Sequence, residues 1–98
     1  MTGPPDSNAR YRLKLFVVGG TARAELTIAN TRRFCEAEFP GRHELIVVDV
    51  VKQPEVAETE KILATPTLIK ESPLPVRRII GDLSDHAKVL AAMRLPQH

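Results

Sequence analysis

The chain has few side chains able to make or break a bond. Cys35 is its one thiol, so neither a disulfide framework nor a thiolate metal site can be assembled. It sits at an inward position of a helical segment, where a thiol acts as a small buried hydrophobe, with a redox sensor as the alternative. His43, His86 and His98 have no spacing to carboxylates or thiols that would build a metal site. Gly19-Gly20 follows an apolar run as a phosphate loop would, yet it lacks the third glycine of the dinucleotide motif and the Gly-Lys of a P-loop. Asp49 ends another apolar run, and Glu55, Glu58 and Glu60 crowd the segment after it. Paired carboxylates can do acid/base work, but on a short helix they read as a solvated face. Arg77-Arg78 lies in a short strand, where successive side chains point to opposite faces. One of the two then either meets an acid on a partner or serves as an edge charge that deters aggregation. No catalytic constellation, metal site or cofactor motif results.

These side chains must be positioned by one small domain. A chain of 98 residues supports a single modest core. Hydrophobic residues at 43% and charged residues at 27% are the proportions of a folded domain. Fourteen basic and twelve acidic residues leave a charge of +2, with seven basic and six acidic in each half. Without a basic arm, nucleic acid is not an expected partner. No apolar run reaches the roughly 18–20 residues of a membrane span, so no membrane association is expected. Residues 1–10 lack the apolar core of a signal peptide and read as a disordered lead-in. The expected compartment is the cytoplasm, and the expected domain covers residues 11–95.

Within that domain, Arg12–Val18 reads as a strand that stops at Gly19-Gly20. Thr21 caps a helix running to about Glu38, with Ile28, Thr31, Cys35 and Phe39 on its inward stripe. Leu45–Val51 reads as a parallel strand covered on both faces, which completes a right-handed βαβ unit. Pro54 opens a short helix over Glu55–Ile62. Thr67–Lys70 and Val76–Ile80 form an antiparallel hairpin turned by Pro73-Leu-Pro75. Ser84 caps a last helix over Asp85–Leu95, which Pro96 ends. The order β-α-β-α-β-β-α on a four-stranded mixed sheet is that of an α/β thioredoxin-like domain. Enzymes of that fold carry Cys-x-x-Cys where the first strand meets the first helix. Here the position reads Gly19-Gly-Thr-Ala22, and a threonine hydroxyl without an adjacent base is inert. The same fold order places Pro66 where thioredoxin-like domains hold a cis peptide bond.

Lys61-Ile-Leu-Ala-Thr-Pro-Thr-Leu68 and Pro75-Val-Arg-Arg-Ile-Ile-Gly-Asp-Leu-Ser84 closely resemble the KaiB family of bacterial clock proteins. Leu13-Lys-Leu-Phe-Val-Val-Gly19, Glu38-Phe39, Gly41 and Val48-Asp-Val50 fit the same pattern without a gap, over about residues 11–95. The resemblance implies a non-enzymatic regulator, without cofactor, that binds the ring-shaped ATPase and autokinase KaiC and modulates its phosphorylation cycle. It also implies KaiA as a sequestered partner and a histidine kinase with a KaiB-like sensory domain as a competitor. A free-standing sensory or adaptor module for a histidine kinase or a stress pathway is the alternative. The family is known for two folds of one sequence, a resting tetramer and a thioredoxin-like form that engages KaiC. By carry-over the partner surface lies on Asp49–Lys61 and its neighbours, with Lys52, Glu58 and Lys61 as polar contacts. Lys70, Arg77 and Arg78 would add electrostatic steering.

The chain departs from cyanobacterial members in its last segment, where Leu90-Ala-Ala-Met-Arg94 stands for Leu-Ile-Gly-Leu-Asp. Ala92 in place of Gly favours helix by about 1 kcal/mol. Arg94 in place of Asp suits the negative end of the helix dipole by about 0.3–1 kcal/mol. Both changes predict the thioredoxin-like form as the resting state, as a monomer or weak dimer, with the tetramer fold as the alternative. The first helix departs as well, at Arg23, Glu25, Thr27, Ala29, Thr31 and Cys35. That leaves the cognate system open between a circadian clock and an hourglass or stress system.

Overall fold

The computed structural model describes residues 10–94. The expected lead-in, Leu95 and Pro96 therefore lie outside the described residues, Arg10 excepted. Alternation along the first strand, β1 (Tyr11–Val17), sends Leu13, Leu15 and Val17 to one core cluster and Phe16 to another. Thr21 then caps α1 (Ala22–Glu38): its Oγ1 accepts from the Ala24 N–H at 3.0 Å while its hydroxyl donates to the Val18 carbonyl. The chain returns through β2 (His43–Asp49), parallel to β1 in a register from Tyr11↔His43 to Val17↔Asp49. The short α2 (Pro54–Thr59) follows. β3 (Thr67–Ser72) pairs antiparallel with β1, β4 (Arg77–Ile80) pairs antiparallel with β3, and α3 (His86–Arg94) ends the described chain. The sheet order is β2-β1-β3-β4.

α1 and α3 cover one face, where Phe34, Cys35, Val89 and Met93 pack with Leu13, Leu15 and Leu68. The opposite face holds a smaller cluster of Phe16, Val48 and Ile69, to which α2 contributes Val56. The peptide bonds before Pro66, Pro73 and Pro75 are all cis.

Three local expectations change. β2 is an edge strand and only half covered, with Val48 its one buried residue, because the six-residue α2 is too short to shield the whole second face. α2 stops at Thr59 rather than Ile62 because Lys61 takes a left-handed φ of 57°. Its N–H bonds the Glu58 carbonyl and that of Ile62 bonds the Ala57 carbonyl, a Schellman closure built without glycine. At α3 the cap is Asp85, not Ser84. Asp85 Oδ1 accepts from the Lys88 N–H at 3.1 Å, whereas Ser84 donates its own N–H to Asp82.

Candidate partner-binding surface

The position that would carry redox chemistry holds Gly19-Gly-Thr-Ala22. Cys35, on the inward side of α1, is fully buried, and that burial pushes the pKa of its thiol up to about 11, so it stays protonated near neutral pH. Among the described residues no group of three His, Cys, Asp or Glu is placed to hold a metal ion. No helix there is long and apolar enough to cross a membrane. The described residues place exposed apolar side chains together on one surface at the end of the sheet.

That surface gathers where β1 and β2 end and β3 begins. Two adjoining recesses of about 240 and 210 Å³ share Val18 and Thr65 in their walls, the first floored by Pro66 and the second flanked by Leu63. Val18, Val51 and Leu63 are all exposed, Leu63 to 95%. Lys52, Glu58 and Lys61 are exposed as well. Lys52 directly follows Val51, Glu58 lies in the last turn of α2, and Lys61 sits at the left-handed turn two residues before Leu63. Sequence reasoning missed the exposed apolar residues because Val51 reads as the end of a strand and Leu63 as part of a helix-to-strand link. The usable signal was two large apolar residues at the ends of elements, beyond the last ladder position of β2 and the last turn of α2.

The other expected contacts divide. Asp49 turns its carboxylate back onto the chain. Oδ1 accepts from the Val51 N–H at 2.9 Å. That bond first, then those from the Gly19 and Lys52 backbone, holds the carboxyl below its ordinary value. Arg78 is exposed, and its guanidinium donates to the carbonyls of Glu60 and Lys61 at the end of α2. It thereby occupies carbonyls that the helix itself leaves open. Lys14 joins the same group, 3.4 Å from Glu60 and 3.0 Å from Glu71, and its pKa is raised chiefly by the hydrogen bond to Glu71.

Lys70 and Arg77 correct the expectation of surface steering. They are cross-strand neighbours, both buried, on the sheet face shared with Leu13 and Leu68. Lys70 Nζ donates to the Pro73 carbonyl at 2.7 Å and lies 6.0 Å from the Tyr11 ring, so it braces the hairpin turn. Ala92 lies within α3, half-buried, and Arg94 is its last residue.

Residues 14–95 match the family model of the KaiB domain. The chain belongs to the KaiB family. It is 53% identical over 85 residues to the circadian clock oscillator protein KaiB of a Synechococcus strain, covering 87% of this chain and 83% of that protein. The Prochlorococcus marinus protein of the same name is 54% identical over 85 residues, covering 87% and 81%. Among solved structures, the N-terminal domain of Synechococcus elongatus SasA superposes with a TM-score of 0.71 at 23% identity, covering 95% of this chain and 91% of that one. Yeast mitochondrial thioredoxin 3 superposes with a TM-score of 0.68 at 15% identity, covering 91% and 82%. This KaiB-family chain thus has the thioredoxin-like α/β fold expected from its element order.

Proposed function

We propose that the chain is a non-enzymatic clock-type regulator that binds a KaiC-type ATPase and autokinase in the cytoplasm and modulates its phosphorylation cycle. The observation that carries this reading is the exposed apolar group of Val18 and Leu63 about one recess, with Val51, Lys52, Glu58 and Lys61 exposed on the chain between β2 and β3. Val51, Lys52, Glu58 and Lys61 lie in the segment where the KaiB resemblance places the partner, and Val18 and Leu63 line a recess with Val50 and Ala57 of that segment. An apolar centre with a charged border is what a specific protein interface requires. The active form is the thioredoxin-like one, monomeric or weakly dimeric, and Ala92 and Arg94 favour it as the resting state. KaiA and a histidine kinase with a KaiB-like sensory domain are the further partners the reading admits.

Mixing the protein with a KaiC-type ATPase and ATP should give a larger complex on a sizing column, and Lys61→Glu should weaken it. Absence of a complex with the wild type overturns the reading, and unchanged binding by Lys61→Glu removes that lysine from the surface. Backbone chemical shifts of the free protein should be helical over residues 86–94; a strand signature there would rule out the thioredoxin-like resting state.

A further inference from the structure

Asp49 is the last residue of β2, and its side chain does unusual duty for a strand end. One carboxylate oxygen takes the Val51 N–H at 2.9 Å. The Asp49 carbonyl takes the Gln53 N–H at 2.8 Å, so the turn into α2 is bonded to one residue through both its main chain and its side chain. The other carboxylate oxygen lies against Gly19. A Cβ added at Gly19 would sit 2.7 Å from Asp49 Cγ and closer still to Oδ2. Gly19 has no left-handed φ, since the positive values belong to Gly20, Gly41 and Gly81. Its missing side chain therefore serves this approach and not a backbone conformation. The two turns in question present Val18 and Val51, and where the strands end the Val50 N–H bonds the Val17 carbonyl at 2.9 Å.

We propose that Asp49 is a positioning residue, whose carboxylate ties the turn after β1 to the turn after β2 and so holds Val18 and Val51 at the spacing the partner reads. The role in binding rests on the functional reading above; the tether does not. Asp49 then acts on the partner through the backbone and makes no contact of its own. A positioning carboxylate and a contacting carboxylate make different demands on charge. A contact through charge is lost in Asp49→Asn as fully as in Asp49→Ala. A tether needs an acceptor oxygen, which Asp49→Asn keeps, and the open Cα of Gly19, which Gly19→Ala fills.

The experiment compares the wild type with Asp49→Ala, Asp49→Asn and Gly19→Ala, using amide proton spectra of the free proteins and affinity for a KaiC-type ATPase with ATP. In Asp49→Ala and Gly19→Ala the amides of Val51 and Lys52 should move, together with that of residue 19. Affinity should fall about tenfold in each, the order of one or two lost hydrogen bonds. Asp49→Asn keeps an acceptor oxygen and should lose less. Gly19→Ala binding as tightly as the wild type, with those amides displaced, overturns the positioning role. Unmoved amides in Asp49→Ala overturn the tether itself. If the wild type does not bind, the functional reading falls, and the spectra alone still decide the tether. Should Gly19→Ala fail to fold, the Asn and Ala variants at Asp49 carry the comparison: equal loss in both with wild-type amides marks a direct contact and overturns the proposal.

Discussion

The two faces of the sheet use charge in opposite ways. Under α1 and α3 the face is apolar, and its two cations, Lys70 and Arg77, are buried. Lys70 braces the hairpin through the Pro73 carbonyl at 2.7 Å. The second face is only partly covered by α2 and is finished with an open network. Arg12 reaches Glu44 and Glu71, Lys14 reaches Glu60 and Glu71, and Arg78 reaches the end of α2. A buried cation must find its acceptor within the fold. A half-exposed one shares its field with water and is left to arrange surface elements. The first face therefore holds the domain together, while the second anchors the end of α2.

The largest test of this contrast lies in the packing. Leu15→Ala, at a fully buried position of the first face, should destabilise by about 2–5 kcal/mol in denaturant titration. Ile46→Ala, half-buried on the second face, should cost about 1 kcal/mol. Equal losses would erase the distinction between the faces. Next comes Lys70→Ala, which takes the Lys70 ammonium from the Pro73 carbonyl and should cost about 1–3 kcal/mol. Arg78→Ala should stay below about 1 kcal/mol in stability, yet weaken partner binding by loosening the end of α2. A stability loss at Arg78 as large as that at Lys70 would break the comparison.

Cys35 sharpens it through pH. Its folded thiol is raised from 9.0 to about 11, so the neutral form favours folding. That contribution is complete below pH 9 and drains away as pH climbs through about 11. Cys35→Ala should flatten the fall in melting temperature over that window, and a thiol reagent at pH 8 should label the wild type only once it unfolds. The smallest effect belongs to Lys14→Met, about 0.2–1 kcal/mol and shrinking with added salt. A salt-independent loss there would mean that the network is structural rather than superficial.

Much of this was legible along the chain. Apolar runs mark β1 and β2, three- and four-residue spacing marks α1, prolines mark α2 and the hairpin turn, and Thr21 is readable as a cap. Where the reading slipped, two neighbouring residues competed for one role. Ser84 and Asp85 are both good caps, and the acid won because its carboxylate reaches the Lys88 N–H. The end of α2 slipped for a different reason, since Lys61 takes a left-handed turn that glycine would normally mark.

By itself, the sequence determined that Arg77 and Arg78 face opposite ways and that residues 19–22 carry no cysteine. Only the tertiary structure decided which arginine is buried, that Lys70 accompanies Arg77 inward, and that Asp49 bonds two turns instead of facing outward. The physical reason is that strand alternation fixes relative orientation alone. The absolute choice of face is made by where α1, α2 and α3 come to rest, and that depends on contacts between residues far apart in the chain.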